Sequence, residues 1–134
     1  MNRLAKLQPA ALLLMRFSLG VTFLYHGWPK LFGKTQVWVD SFARMGLPEW
    51  TVYLAGVIEL FCGGLLVLGL FTRIAGLVLM LHMCVALWKF NFVEGLLAVR
   101  EYEFPLALAA AAFVLATTGA GIISLDRAIF REKA

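Results

Sequence analysis

Residues 12–33 read LLLMRFSLGVTFLYHGWPKLFG, and the fold turns on how that run is understood. It is apolar enough to lie in lipid, yet Arg16 sits a few residues inside its start, and His26 and Lys30 sit near its end. Hydrocarbon tolerates such groups poorly. A central arginine costs about 2.5–3.5 kcal/mol on the insertion scale, and each Leu, Ile, Phe or Val contributes about 0.3–0.6 in return. The run carries eight such residues between 10 and 28, so it inserts only marginally unless Arg16 finds a partner.

The remainder of the chain answers the membrane question. Of 134 residues, 62% are hydrophobic and 15% charged, against roughly 45–50% and about 25% in soluble domains. Four runs, about 10–28, 51–71, 74–92 and 104–125, reach the ~20 residues that a helix needs to cross the hydrocarbon core. None alternates polar and apolar residues as barrel strands do, and every backbone amide in lipid must be satisfied internally, so helices follow. The expected fold class is all-α: one domain, a transmembrane four-helix bundle with an interfacial segment between spans 1 and 2.

That segment, PKLFGKTQVWVDSFARMGLPEW, carries Val37, Trp38, Phe42 and Met45 for the headgroup plane, Trp50 and the preceding Trp28 as aromatic anchors, and Pro29 and Pro48 as brackets. The N-terminus imitates a signal peptide, but its apolar run is long, carries Arg16 and lacks a small-x-small cleavage site, so it is expected to remain as the first span. The last residues, SLDRAIFREKA, read as a final turn capped by Ser124 or Asp126. Four spans put both termini on one face. That face holds Arg3, Lys6, Arg73, Arg127, Arg131 and Lys133, against Lys30, Lys34, Arg44, Lys89 and Arg100 opposite. The balance favours cytoplasmic termini in the cell (inner) membrane. The +4 charge forms no cluster of the kind nucleic acid requires. Cys62 and Cys84 fall within spans without metal or CxxC spacing and read as buried thiols.

Intramembrane ionisable residues are functional-site hypotheses whose partners must be named. Counting ~1.5 Å per residue brings Arg16, Glu59 and His82 to similar depth. Gly56 and Gly63 flank Glu59 at i−3 and i+4, which shaves its face for close helix approach. The sequence reading therefore pairs Arg16 with Glu59, places His82 nearby, and adds Thr117 or Thr118 from the fourth helix. Such a cluster either fixes helix register or lines a small-molecule pocket. A second, interfacial cluster gathers His26, Lys30, Lys89, Glu101 and Glu103, with carboxylates at a helix N-terminus where the macrodipole favours them.

Three motifs carry a family resemblance. Arg16, Gly20, Phe23, His26, Gly27 and Lys30 form R-x3-G-x2-F-x2-HG-x2-K. Gly56, Glu59, Gly63, Gly64, Gly69, Thr72 and Arg73 form G-x2-E-x3-GG-x4-G-x2-TR. Gly119 to Asp126 read GAGIISLD. In that order the chain resembles the DoxX family of small bacterial membrane proteins. The resemblance implies a four-span bundle and a link to quinone-dependent redox or thiol and oxidative-stress metabolism. No metal or haem is expected, since the only two histidines, His26 and His82, lie on different levels. The expected role is a membrane subunit, binding a quinone-like lipophilic molecule near Arg16, Glu59 and His82, with soluble redox proteins and a second copy of the chain as candidate partners beside the lipid bilayer. The alternative is a non-enzymatic anchor or scaffold for soluble proteins. Transport by four helices alone is disfavoured, because no inverted repeat is visible.

Overall fold

The computed structural model describes residues 2–94 and 99–130, and side chains outside 90–101. The helices run in the order α1 (Asn2–Ala5), α2 (Gln8–Leu31), α3 (Thr35–Arg44), α4 (Trp50–Leu68), α5 (Thr72–Glu94), α6 (Val99–Thr118) and α7 (Leu125–Phe130). Three of them, α2, α4 and α5 over Thr72–Lys89, are long and apolar enough to cross a membrane. The apolar part of α6, Tyr102–Thr118, is shorter, although the whole 20-residue helix reaches about 30 Å. The chain is a membrane protein built as an all-α four-helix bundle. Large apolar side chains such as Leu14, Tyr25, Phe61, Ile74 and Phe113 point outward, as lipid-facing positions do.

Packing is pairwise. α2 lies antiparallel on α4, α5 lies on α6, and the seam between α2 and α6 is light. Apolar surface gives no net drive between helices already in lipid, so close van der Waals contact has to hold them together. Glycines provide it. A β-carbon on Gly20 would stand 2.7 Å from the Gly63 carbonyl oxygen, and one on Gly63 would stand 2.9 Å from that of Gly20. Gly27 sits equally close to Glu59 and Leu60. Between the pairs, Leu19, Phe23, Leu66, Leu79 and Leu115 form the apolar centre.

Two boundaries differ from the sequence reading, and both matter for the site. α2 does not stop before Pro29. It runs through that proline to Leu31, because a proline near a helix end removes one hydrogen bond without ending the helix. This keeps Lys30 on the helical stripe that faces α4. At the other end, α6 stops at Thr118 instead of near 125. Gly119 follows in the left-handed region (φ 80°), which glycine enters without penalty, and residues 119–124 turn back under the bundle. The amphipathic stretch of the first loop is α3, and Trp38, Phe42 and Met45 turn toward the helices, whereas Val37 faces out. Cys62 is buried as expected, but Cys84 is exposed on the bundle surface; both are free thiols.

Candidate functional site

The contacts of the glycines set the α2–α4 register. Gly20 meets Gly63, Gly27 meets Glu59, and Gly69 meets the Arg16 guanidinium. The α2 residue at the level of Glu59 is thus Gly27, eleven positions beyond Arg16 in the sequence. At 1.5 Å per residue that is about 16 Å of helix axis, well outside the reach of a guanidinium. Arg16 and Glu59 do not meet, and the expected pair is replaced by two separate arrangements.

In the first, Lys30 from the last turn of α2 donates to Glu59 Oε2 at 2.6 Å, and His82 Nε2 from α5 donates to Glu59 Oε1 at 3.0 Å. Lys30 and Glu59 are each 4% exposed. Burial of this kind is tolerated only where geometry and further hydrogen bonds compensate the lost hydration. The ammonium also donates to the His26 carbonyl at 3.2 Å and lies 4.3 Å over the Trp38 ring. Three helices therefore converge on one carboxylate. Lys30, expected in a separate interfacial cluster, belongs to the buried one, because α2 continues past Pro29.

The triad opens onto a cavity of about 360 Å³. Phe23 and His26 of α2, Met83, Val85 and Ala86 of α5, and Phe104, Pro105 and Leu108 of α6 contribute to its wall. Trp38, Ser41 and Phe42 of α3 and Met45 at its C-cap cover it, at spacings of 3, 1 and 3 that put them on one helical face. The polar groups on its surface are Lys30, Glu59, His82, His26, Lys89 and Ser41. An apolar hollow with a few convergent polar groups is the usual form of a small-molecule site. His26 Nδ1 lies 2.8 Å from the Thr22 carbonyl, and its ring stands 5.5 Å from that of Phe104. Of the remaining interfacial residues, Lys89 reaches the cavity wall and lies 4.8 Å over the Trp88 ring, Glu103 is exposed, and the Glu101 side chain lies outside the described residues.

The second arrangement is a clasp at the terminal face. Arg16, 2% exposed, donates from one guanidinium nitrogen to the carbonyls of Ala120 and Ile123 at 2.8 and 2.9 Å. Those carbonyls lie in the turn after α6. Asp126 accepts from the amides of Phe71 and Thr72 at 2.6 and 2.9 Å, while its own amide donates to the Gly69 carbonyl at 2.8 Å. A carboxylate here satisfies orphan amides at the start of α5 and complements its dipole. Ser124, not Asp126, caps α7, by accepting from the Arg127 amide at 3.2 Å. Arg73 donates to the Thr117 and Thr118 carbonyls that end α6. Thr117 joins neither the triad nor the cavity: its hydroxyl donates back to Phe113 and Val114, and it is exposed.

The glycine seams, the buried carboxylate and the clasp fall on the three motifs singled out in the sequence. The DoxX family model matches residues 11–92. The chain belongs to the DoxX family. Its relatives include the Bacillus subtilis protein named "Putative oxidoreductase CatD", 31% identical over 90% of this chain and 88% of that protein. An uncharacterized membrane protein of Mycobacterium tuberculosis is 31% identical over 92% and 84% of the two chains. The Escherichia coli inner membrane protein YqjF is 30% identical over 95% and 98%. No solved structure matches the chain. The DoxX match spans α2 through most of α5 and so contains Lys30, Glu59 and His82, while the Ala120–Asp126 half of the clasp lies beyond it.

Proposed function

We propose that this DoxX protein binds a quinone-like lipophilic molecule in the cavity beside Lys30, Glu59 and His82, as the membrane subunit of a redox system whose electron-carrying centre resides on a soluble partner. The observation that carries the reading is the meeting of three helices on one buried carboxylate at the wall of an apolar cavity. Lys30, whose ammonium has three N–H groups, supplies a donor suited to a quinone carbonyl. Glu59 and His82 supply a pair able to hold or pass a proton when a quinol is bound. The name of the Bacillus relative speaks for redox chemistry in that protein. The site's relocation from Arg16 to Lys30 moves it toward the face covered by α3. The same reading keeps the termini on the cytoplasmic side of the inner membrane, with the clasp facing inward.

A second reading, a scaffold that anchors soluble proteins, is favoured by one feature: both Glu59 oxygens are already engaged, as in a staple that only fixes register. Binding of 2,3-dimethyl-1,4-naphthoquinone to the protein in nanodiscs, with empty nanodiscs subtracted, separates the two. Saturable binding that weakens at least tenfold in Glu59→Gln and Lys30→Met but not in Arg16→Met is expected. Absence of saturable binding, or equal affinity in all variants, removes the cavity as a quinone site and leaves the scaffold.

A further inference from the structure

The cavity's hydrogen-bonding groups are unequal, and the inequality selects among ligands. A backbone carbonyl can only accept, so the 2.8 Å contact between His26 Nδ1 and the Thr22 carbonyl requires the proton on Nδ1. In a neutral imidazole the other nitrogen, Nε2, then carries a lone pair. Among the described residues nothing donates to it. At His82 the tautomer is reversed: Nε2 must carry the proton that bonds the Glu59 carboxylate, and the lone pair sits on Nδ1. Lys30 and Lys89 are pure donors. Glu59 is an acceptor, but both its oxygens are already met by Lys30 and His82. Among the described residues, His26 Nε2 is therefore left as an acceptor without a donor, held on a ring that lines the cavity and is braced by Phe104 at 5.5 Å and Tyr25 at 5.6 Å.

We infer that His26 makes the cavity selective for ligands that bring a hydroxyl group, accepting the hydroxyl proton of an aromatic alcohol or a quinol at Nε2. The inference rests on the cavity being a ligand site. It narrows that site from lipophilic molecules in general to aromatic alcohols. An ether or carbonyl compound of the same shape presents only lone pairs to Nε2 and leaves that nitrogen desolvated and unpaired. A hydroxyl satisfies it. Sites that hydrogen-bond a substrate hydroxyl discriminate strongly against the analogue lacking it, because a buried partner is left unpaired; at a half-buried ring the discrimination is smaller. His26 acts here by direct contact with the ligand, so changing it should alter preference between ligands and not only their common affinity.

The test uses the protein in nanodiscs, tritiated 1-naphthol as the probe, and 1-methoxynaphthalene as the competitor. The expected result is saturable 1-naphthol binding at least tenfold tighter than that of the methyl ether. In His26→Phe the ratio should fall below threefold through loss of 1-naphthol affinity alone, with the ether unaffected. His26→Gln, which retains an acceptor, should keep a ratio of fivefold or more. If the two compounds bind the parent protein within threefold of each other, the inference is overturned and the cavity remains a binding site. If neither binds saturably, both fail together. If His26→Phe weakens both compounds equally, the ring serves only to shape the wall, and the inference is also overturned. Should His26→Phe not fold, the ratio in the parent protein and in His26→Gln decides.

Discussion

Replacing Lys30 with methionine tests the central assignment most directly. Methionine keeps the unbranched stem and removes the ammonium that stands 2.6 Å from Glu59 Oε2, 3.2 Å from the His26 carbonyl and 4.3 Å over the Trp38 ring. Glu59 then remains 4% exposed with His82 alone as partner. Removing one member of a buried pair costs about 3–5 kcal/mol, since the other charge is left uncompensated. The surviving His82 bond at 3.0 Å puts the expected loss near the lower end, about 3 kcal/mol. For a chain of this size each kcal/mol shifts Tm by about 3–5 °C, so the transition in detergent should drop by about 10–15 °C. Adding Glu59→Gln removes the stranded charge, and the double variant should regain most of the loss. The coupling between the two sites should come to about 2–3 kcal/mol in a double-mutant cycle. A single variant that melts within 2 °C of the parent, or a double variant less stable than the single, would refute the view that these groups neutralise each other away from water. If the single variant does not fold at all, recovery of a cooperative transition in the double variant carries the same information.

Other expectations concern the seam and the clasp. Gly20→Leu drives a side chain into the Gly63 carbonyl, where even a β-carbon would stand at 2.7 Å; folded yield by size-exclusion chromatography should collapse, while Val21→Leu on the exposed face should leave it intact. Asp126→Ala strips two amides at the start of α5 of their acceptor and should lower stability by about 1–2 kcal/mol, measured as Tm, without altering ligand affinity at the cavity. Arg16→Met should likewise reduce Tm, by more than Arg16→Lys does, and speed proteolysis after residue 118; an Arg16→Met protein as stable as the parent would mean that the guanidinium holds nothing.

The four spans were legible because hydrophobic run length is a coarse property that survives errors of a few residues. The meeting of Glu59 with His82 was legible for a related reason. Each is the lone ionisable side chain, apart from the cysteines, of the stretches LAGVIELFCGGLLVLGLF and IAGLVLMLHMCVALW, and the glycines beside Glu59 mark its face as one that packs. The partner of Arg16 was not legible. Depths counted from the edges of apolar runs treat all spans as starting level, whereas Gly69, at the end of α4, lies beside Arg16, so α2 overhangs α4 by more than two turns. No composition signal gives that offset. Nor does sequence reveal that the receiving groups are the carbonyls of Ala120 and Ile123, since every residue has a carbonyl. The cover formed by α3 was half legible: its amphipathic spacing pointed to an apolar face, but lipid headgroups and the cavity compete for the same face, and only the packing tells them apart.

The clasp joins the second helix to residues made more than a hundred positions later. During synthesis the first span must therefore wait in the bilayer with its guanidinium unanswered until the final turn emerges, held meanwhile by a balance of insertion energies that is close to zero. A chain interrupted before residue 119 would leave that cation stranded, so synthesis of the Ala120–Ile123 turn and secure seating of the first span become one event. A copy without that turn exposes a bare positive charge to the lipid, and a copy with it has hidden the charge.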